Sequence, residues 1–179
     1  EVDIGKCGLY RYATDPSFEI LLVAWATDEG DGFGETRCAD LASGEPIPAE
    51  LLEDFQSGNV RLIAHNASFE RVCFSVHLQR YLPGQYLKPG EFLSPDNWIC
   101  TLVMAASLTL PMALKDVGTV LKTSQQKDKE GERLIKLFSM PCKPTKSNGM
   151  RTRNLPEHYP ADWEKFKYYC IQDVNTEVD

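Results

Sequence analysis

The chain has no run near the roughly 20 consecutive apolar residues that a membrane-spanning helix needs. Its N-terminus shows no charged-then-apolar leader either, so neither a membrane role nor a secreted setting is expected. Six cysteines, Cys7, Cys38, Cys73, Cys100, Cys142 and Cys170, include no CxxC pair, which removes a common metal and redox spacing and fits a reduced cytoplasm. Positive charge is in deficit. Lys and Arg number 19 against 26 Asp and Glu, a formal net charge of −7. A chain so charged does not coat nucleic acid by bulk attraction, although a carboxylate site can still reach phosphates through a bound cation. Repeats and low-complexity tracts are also absent, which excludes solenoids and leaves one domain over 1–179 as the simplest organisation. What is present is an apolar content of 42%, enough at 179 residues to bury a sizeable core.

Residues Glu1 to Asp15 are turn-rich and predict no element. Glu19 to Thr27 is a nearly continuous apolar run, expected as a strand buried on both faces. After the turn Asp28-Glu29-Gly30-Asp31-Gly32, Phe33 to Ala39 returns as a more polar strand, making a hairpin. Pro48 suits the first position of a helix over Ala49 to Gln56, which Ser57-Gly58 ends. Val60 to Ala64 is a short apolar strand that stops at His65-Asn66-Ala67-Ser68-Phe69-Glu70-Arg71, read as a tight turn into a helix with Asn66 as N-cap. Phe69, Val72, Cys73 and Val76 form the apolar stripe of that helix, and Glu70 lies at its margin. Tyr81 to Asp96 holds three prolines and two glycines and reads as a surface connection. Trp98-Ile99-Cys100 suggests a strand, followed by a helix from Thr101 to Leu108 that Pro111 closes. Shorter helices are expected around Leu114 to Leu121 and Leu134 to Phe138, and the run Lys127-Asp128-Lys129-Glu130 is expected as a solvated face or loop.

The last helix opens at Tyr159-Pro160-Ala161-Asp162 and turns Trp163, Phe166, Tyr169, Cys170 and Val174 inward. Asp173 falls on nearly the same side. A lone acid on a core stripe is costly unless paired or metal-bound, and no basic residue stands three or four positions away; the alternative is that the helix end frays and returns Asp173 to water. Tyr169 is one turn before it and can share its surroundings. Glu70 also has two readings, an acid favoured by the helix dipole or a carboxylate at the C-terminal end of a strand, where open α/β sheets place ligands. Lys143, Lys146, Arg151 and Arg153 make Pro141 to Pro156 the one locally basic segment, either a solvated loop or a contact for a phosphate backbone. Cys73 and Cys170 sit in apolar helical patterns and read as small core residues.

His65-Asn66-Ala67-Ser68-Phe69-Glu70 resembles the second motif, and Tyr169-Cys170-Ile171-Gln172-Asp173-Val174 the third motif, of the DnaQ-like 3′-to-5′ exonucleases, in the tyrosine-type subgroup. Cys100 to Ala106, Leu114-Lys115-Asp116-Val117 and Lys129 to Ile135 extend the likeness over the whole chain, toward the proofreading domains of phage-type family A DNA polymerases. The resemblance implies an α/β, RNase H-like three-layer domain with a mixed central sheet flanked by helices. It implies Asp173 and Glu70 as ligands of Mg²⁺ or Mn²⁺, and Tyr169 as the group orienting the attacking water. His65, Asn66 and Phe69 would support the motif or contact substrate; Arg151 and Arg153, from the basic segment, are the further substrate-binding candidates, toward the phosphate backbone. The partner implied is the 3′ end of single-stranded DNA, with a polymerase domain C-terminal in the parent chain and the host cytoplasm as its setting.

Two departures stand out. Glu70 occupies a position where the family has Asp, one methylene shorter. The family's first motif, Asp-x-Glu on the first strand, has no counterpart; Glu1-Val2-Asp3 has its acids reversed and no flanking apolar run. The expectation is therefore a fragment beginning after the first motif and ending soon after the third. A non-catalytic module of the same fold is the second reading. A cysteine hydrolase using Cys170 with His65 and Asn66 is the third, and mid-helix burial of the thiol opposes it.

Overall fold

The computed structural model describes residues 3–123 and 129–179. The chain divides into two compact units, one of residues 1–20 and 47–120, the other of residues 21–46 and 121–179. Helices and short strands are mixed, and the expected strands are found as two separate two-stranded sheets rather than one central sheet.

In the first unit, β3 (Leu62–Ala64) and β4 (Trp98–Cys100) pair in parallel, Leu62 opposite Trp98 and Ala64 opposite Cys100. A parallel pair needs a long crossover, and this one contains helix α4 (Ser68–Tyr81). The predicted stripe of α4 is real: Val72, Cys73 and Val76 are buried with Ala13 and Phe18, and Phe69 packs against them. Polar groups of α4 hold the segment that leads on to β4, because Arg71 Nη1 donates to the Leu93 carbonyl at 2.8 Å and Ser75 Oγ accepts from Leu93 N at 2.9 Å. The connection from Tyr81 to Asp96 is thus pinned by Leu93, which is itself buried.

The N-terminal residues differ from expectation. They form helices α1 (Ile4–Cys7) and α2 (Leu9–Thr14). Asp3 caps the first through Gly5 N at 2.9 Å, while α2 is fixed by tertiary contact, with Leu9, Tyr12 and Ala13 against α4. Elements this short are marginal alone, so their local pattern was weak. Helices α3 (Ala49–Ser57), α5 (Thr101–Ser107) and α6 (Leu114–Leu121) lie where the residue spacing placed them.

The second unit is built on the expected hairpin. Strands β1 (Leu22–Trp25) and β2 (Arg37–Asp40) pair antiparallel, and a bridge joins Asp28 to Phe33 in the turn. The first strand is shorter than its apolar run and only Val23 in it is buried, so the expectation of burial on both faces is not met. The long helix α8 (Pro160–Val178) packs on both strands, and α7 (Lys129–Ser139) packs on α8. Their core is Leu134, Phe138, Trp163, Phe166 and Tyr169. Phe138 meets Trp163 edge-on at 4.8 Å and stacks on Phe166 at 5.5 Å. Glu130, expected on a solvated face or in a loop, lies on a solvent-exposed face of α7; Lys127 and Asp128, like Glu1 and Val2, lie outside the described residues.

Candidate functional site

Helix α8 begins where Pro160 removes a backbone donor that a first helical turn leaves unused. Its position over the hairpin is set by a buried polar contact, Trp163 Nε1 donating to Asp40 Oδ2 at 2.7 Å. Asp40 is itself buried and also accepts from Ser43 N at 3.0 Å and Ser43 Oγ at 2.9 Å. Near the other end of α8, Thr36 Oγ1 bonds Asn175 Oδ1 at 2.6 Å. The helix therefore runs unbroken past Asp173 to Val178, and the fraying that would have returned Asp173 to solvent does not occur.

Asp173 is half-buried. Tyr169, one turn earlier, is buried with only 7% of its surface exposed. Burial is the first cause that pushes the Tyr169 phenol well above its ordinary range, and the charge of the nearby Asp173 carboxylate adds to the effect. A phenol held in its protonated form beside a carboxylate can donate to an oxygen and does not act as a base at neutral pH.

Cys170, on the same helix, is half-buried and not an isolated core residue. Its thiol interacts with that of Cys38 of β2, which pushes Cys170 upward and Cys38 downward. Burial and the nearby Asp173 charge raise Cys170 further. That is the reverse of an activated nucleophile.

In the other unit, the turn after β3 carries His65, Asn66, Phe69 and Glu70. Asn66 is not the N-cap. It adopts φ 73°, a left-handed conformation that Asn tolerates better than most residues, and the cap position belongs to Ala67, which makes no side-chain cap bond. The Asn66 carbonyl instead accepts from Phe69 N at 2.7 Å, closing the turn. Glu70 lies in the first turn of α4, with its Oε2 buried and its charge felt by Cys73.

His65 follows β3 directly and Thr101 follows β4. The two are joined, His65 Nδ1 to Thr101 Oγ1 at 3.0 Å, and His65 Nε2 meets the Met112 carbonyl at 2.8 Å. A carbonyl only accepts, so Nε2 is the donor to Met112. Both nitrogens of His65 are thereby engaged, which further opposes a His65–Cys170 hydrolase.

The basic segment is folded on itself. Arg151 donates from Nε to Asn154 Oδ1 at 3.1 Å, from Nη1 to the Asn148 carbonyl at 3.4 Å and from Nη2 to Tyr159 Oη at 3.2 Å, with its guanidinium 5.5 Å from the centre of the Tyr159 ring. Arg153 is half-buried, while Lys143 and Lys146 are exposed. Sequence spacing could not separate a loop-organising cation from the exposed ones.

Among the described residues, no three His, Cys, Asp or Glu side chains gather to hold a metal ion. A hard divalent cation takes about six oxygen ligands. Asp173 and Glu70 have the right donor chemistry, yet each unit offers one of them, and the described residues do not complete a cation site. No helix among them is long and apolar enough to cross a membrane.

The chain is 48% identical over 176 residues, 98% of its length, to a DNA polymerase of Bacillus phage SP02, and it spans 25% of that protein. No protein-family profile matches the chain. No solved structure matches it.

Proposed function

We propose that this chain is the 3′-to-5′ exonuclease domain of a DNA polymerase, of RNase H-like fold, acting on the 3′ end of single-stranded DNA and releasing nucleoside monophosphates. The observation that carries the reading is the Tyr169–Asp173 pair, a protonated phenol one turn from a half-buried carboxylate, in a chain so similar to a phage DNA polymerase. In this reading Tyr169 keeps its proton, donates a hydrogen bond to a water and so orients it toward the terminal phosphodiester. Asp173 fixes the phenol and, with Glu70, contributes ligands for Mg²⁺ or Mn²⁺. Such a cation, when bound, supplies charge stabilisation to the phosphoryl group. The Asp-x-Glu acids that the resemblance would add to that site have no counterpart in the given sequence. Each of the two small sheets has an edge that pairs with no strand among the described residues, so a strand can be added without disrupting either. Lys143 and Lys146 contact the phosphate backbone, and a polymerase domain follows in the parent chain.

The test uses 3′-labelled single-stranded DNA with Mg²⁺ or Mn²⁺, added to this chain and to one extended upstream through an Asp-x-Glu strand. Degradation by the extended chain is expected. It should be abolished by Asp173→Asn and reduced about a hundredfold by Tyr169→Phe; an inert extended chain overturns the reading. A second reading, a non-catalytic DNA-binding module, draws on the lack of a three-ligand cluster among the described residues. It is distinguished by DNA binding that persists without hydrolysis in the extended chain.

A further inference from the structure

The face that α7 turns toward α8 reads Gly131, Leu134, Phe138. Leu134 and Phe138 are nearly inaccessible and fill the space beside Trp163 and Phe166, whereas the first position of the stripe has no side chain. Opposite that bare position is the ring of Tyr169. A methyl group built on Gly131 would overlap the Tyr169 Cε2, Cδ2 and Cζ atoms. The ring belongs to a buried residue of the unit's core, so it is not the loose end of a surface side chain that could swing away. Glycine is also the poorest helix former after proline, and its presence inside α7 runs against local preference. Nothing in its backbone demands it, since Gly131 is not among the residues with positive φ.

The approach of the two helices here is fixed independently of the ring. Arg133, two residues on, bonds Asp162 of α8 at 2.7 and 3.2 Å and Glu130 of its own helix at 2.9 Å, and Lys165 of α8 reaches Glu130 at 3.5 Å. With α7 tied to α8 on this side, a larger residue at 131 presses directly on the phenol ring.

We propose that Gly131 is a positioning residue for Tyr169, a bare stretch of helix backbone against which the phenol ring seats so that its hydroxyl stays beside Asp173. The seat itself is independent of any chemistry; its catalytic meaning rests on the exonuclease reading above. It makes position 131 a determinant of the site although residue 131 touches neither DNA nor water at the reacting centre.

Two readouts that need no turnover test it in the 179-residue chain. The first is a double-mutant cycle in thermal melting. Gly131→Ala should lower Tm by roughly 5 °C with Tyr169 in place, and should leave Tm unchanged or raise it in a Tyr169→Ala background, where helix preference alone acts. The second is the ζ-carbon NMR signal of ¹³C-labelled tyrosine, assigned to Tyr169 by its loss in Tyr169→Phe. It should shift in Gly131→Ala, while the signal of the exposed Tyr168 stays in place; this arm does not require the Tyr169→Ala chain to fold. A rise in Tm on Gly131→Ala in the parent chain, or an unmoved Tyr169 signal, overturns the proposal. If both readouts behave as expected and the extended chain is inert toward DNA, the seat stands and only the exonuclease reading falls.

Discussion

Trp163 Nε1 and Asp40 Oδ2 lie 2.7 Å apart, both side chains buried, and this bond joins the first turn of α8 to the end of β2. It anchors the helix that carries Tyr169 and Asp173. Trp163→Phe keeps an aromatic ring against Phe138 and Phe166 but removes the donor, leaving a buried carboxylate one partner short. We expect a loss of about 1–3 kcal/mol in urea unfolding. A loss no larger than that of an exposed substitution would show that Ser43 alone satisfies Asp40.

Arg151 acts inward. Its three hydrogen bonds and its position over Tyr159 hold the segment from Asn148 to Tyr159. Arg151→Lys cannot reproduce the planar fork and should cost about 1 kcal/mol, with faster proteolytic cleavage near Met150. The exposed Lys143 and Lys146 should behave oppositely: replacing either by Ala leaves stability unchanged and lowers the salt slope of DNA binding by about 1. A salt slope that falls with Arg151→Ala would instead place Arg151 on phosphate.

Acid stability should report the contact between α7 and α8. Hydrogen bonds and charge from Arg133 hold the carboxyls of Asp162 and Glu130 below their ordinary values. A depressed folded value means stabilisation that is present above the unfolded range, near pH 4, and is lost as pH falls through the lower folded value. Arg133→Gln should therefore bring both carboxyl titrations, followed by NMR, up toward ordinary values and flatten the decline of stability below about pH 4. All of these groups lie at the surface, so the effect should shrink in high salt.

The thiols should react in a set order. Cys38 is drawn downward by its interaction with Cys170, whereas Cys170 is held up by that interaction, by burial and by Asp173. Burial, with Glu70 nearby, pushes Cys73 up to about 12. Of these three, iodoacetamide at pH 8 should label Cys38 first, then Cys170, and should leave Cys73 untouched until the chain unfolds, as read by peptide mass mapping. Early labelling of Cys170 would contradict the direction of the thiol interaction.

Local period and turn chemistry carry the part of this fold that is legible along the chain. The apolar stripe of Val72, Cys73 and Val76, the hairpin around Asp28 to Phe33, the helix opened by Pro160 and the inward phase of Tyr169 with Asp173 all come from spacings of two or between three and four residues, which the backbone geometry of strands and helices imposes. Only the tertiary structure decided the rest. Helix α2 exists because α4 supplies the surface that buries Ala13. Asn66 became a left-handed corner rather than a cap because the chain turns out of β3 there. Arg151 was taken by its own loop, and Gly131, a weak point in any helical pattern, is explained by a ring that arrives from a distant part of the sequence. Contacts between residues far apart in the chain leave no periodic trace, so their consequences appear only once the elements are packed.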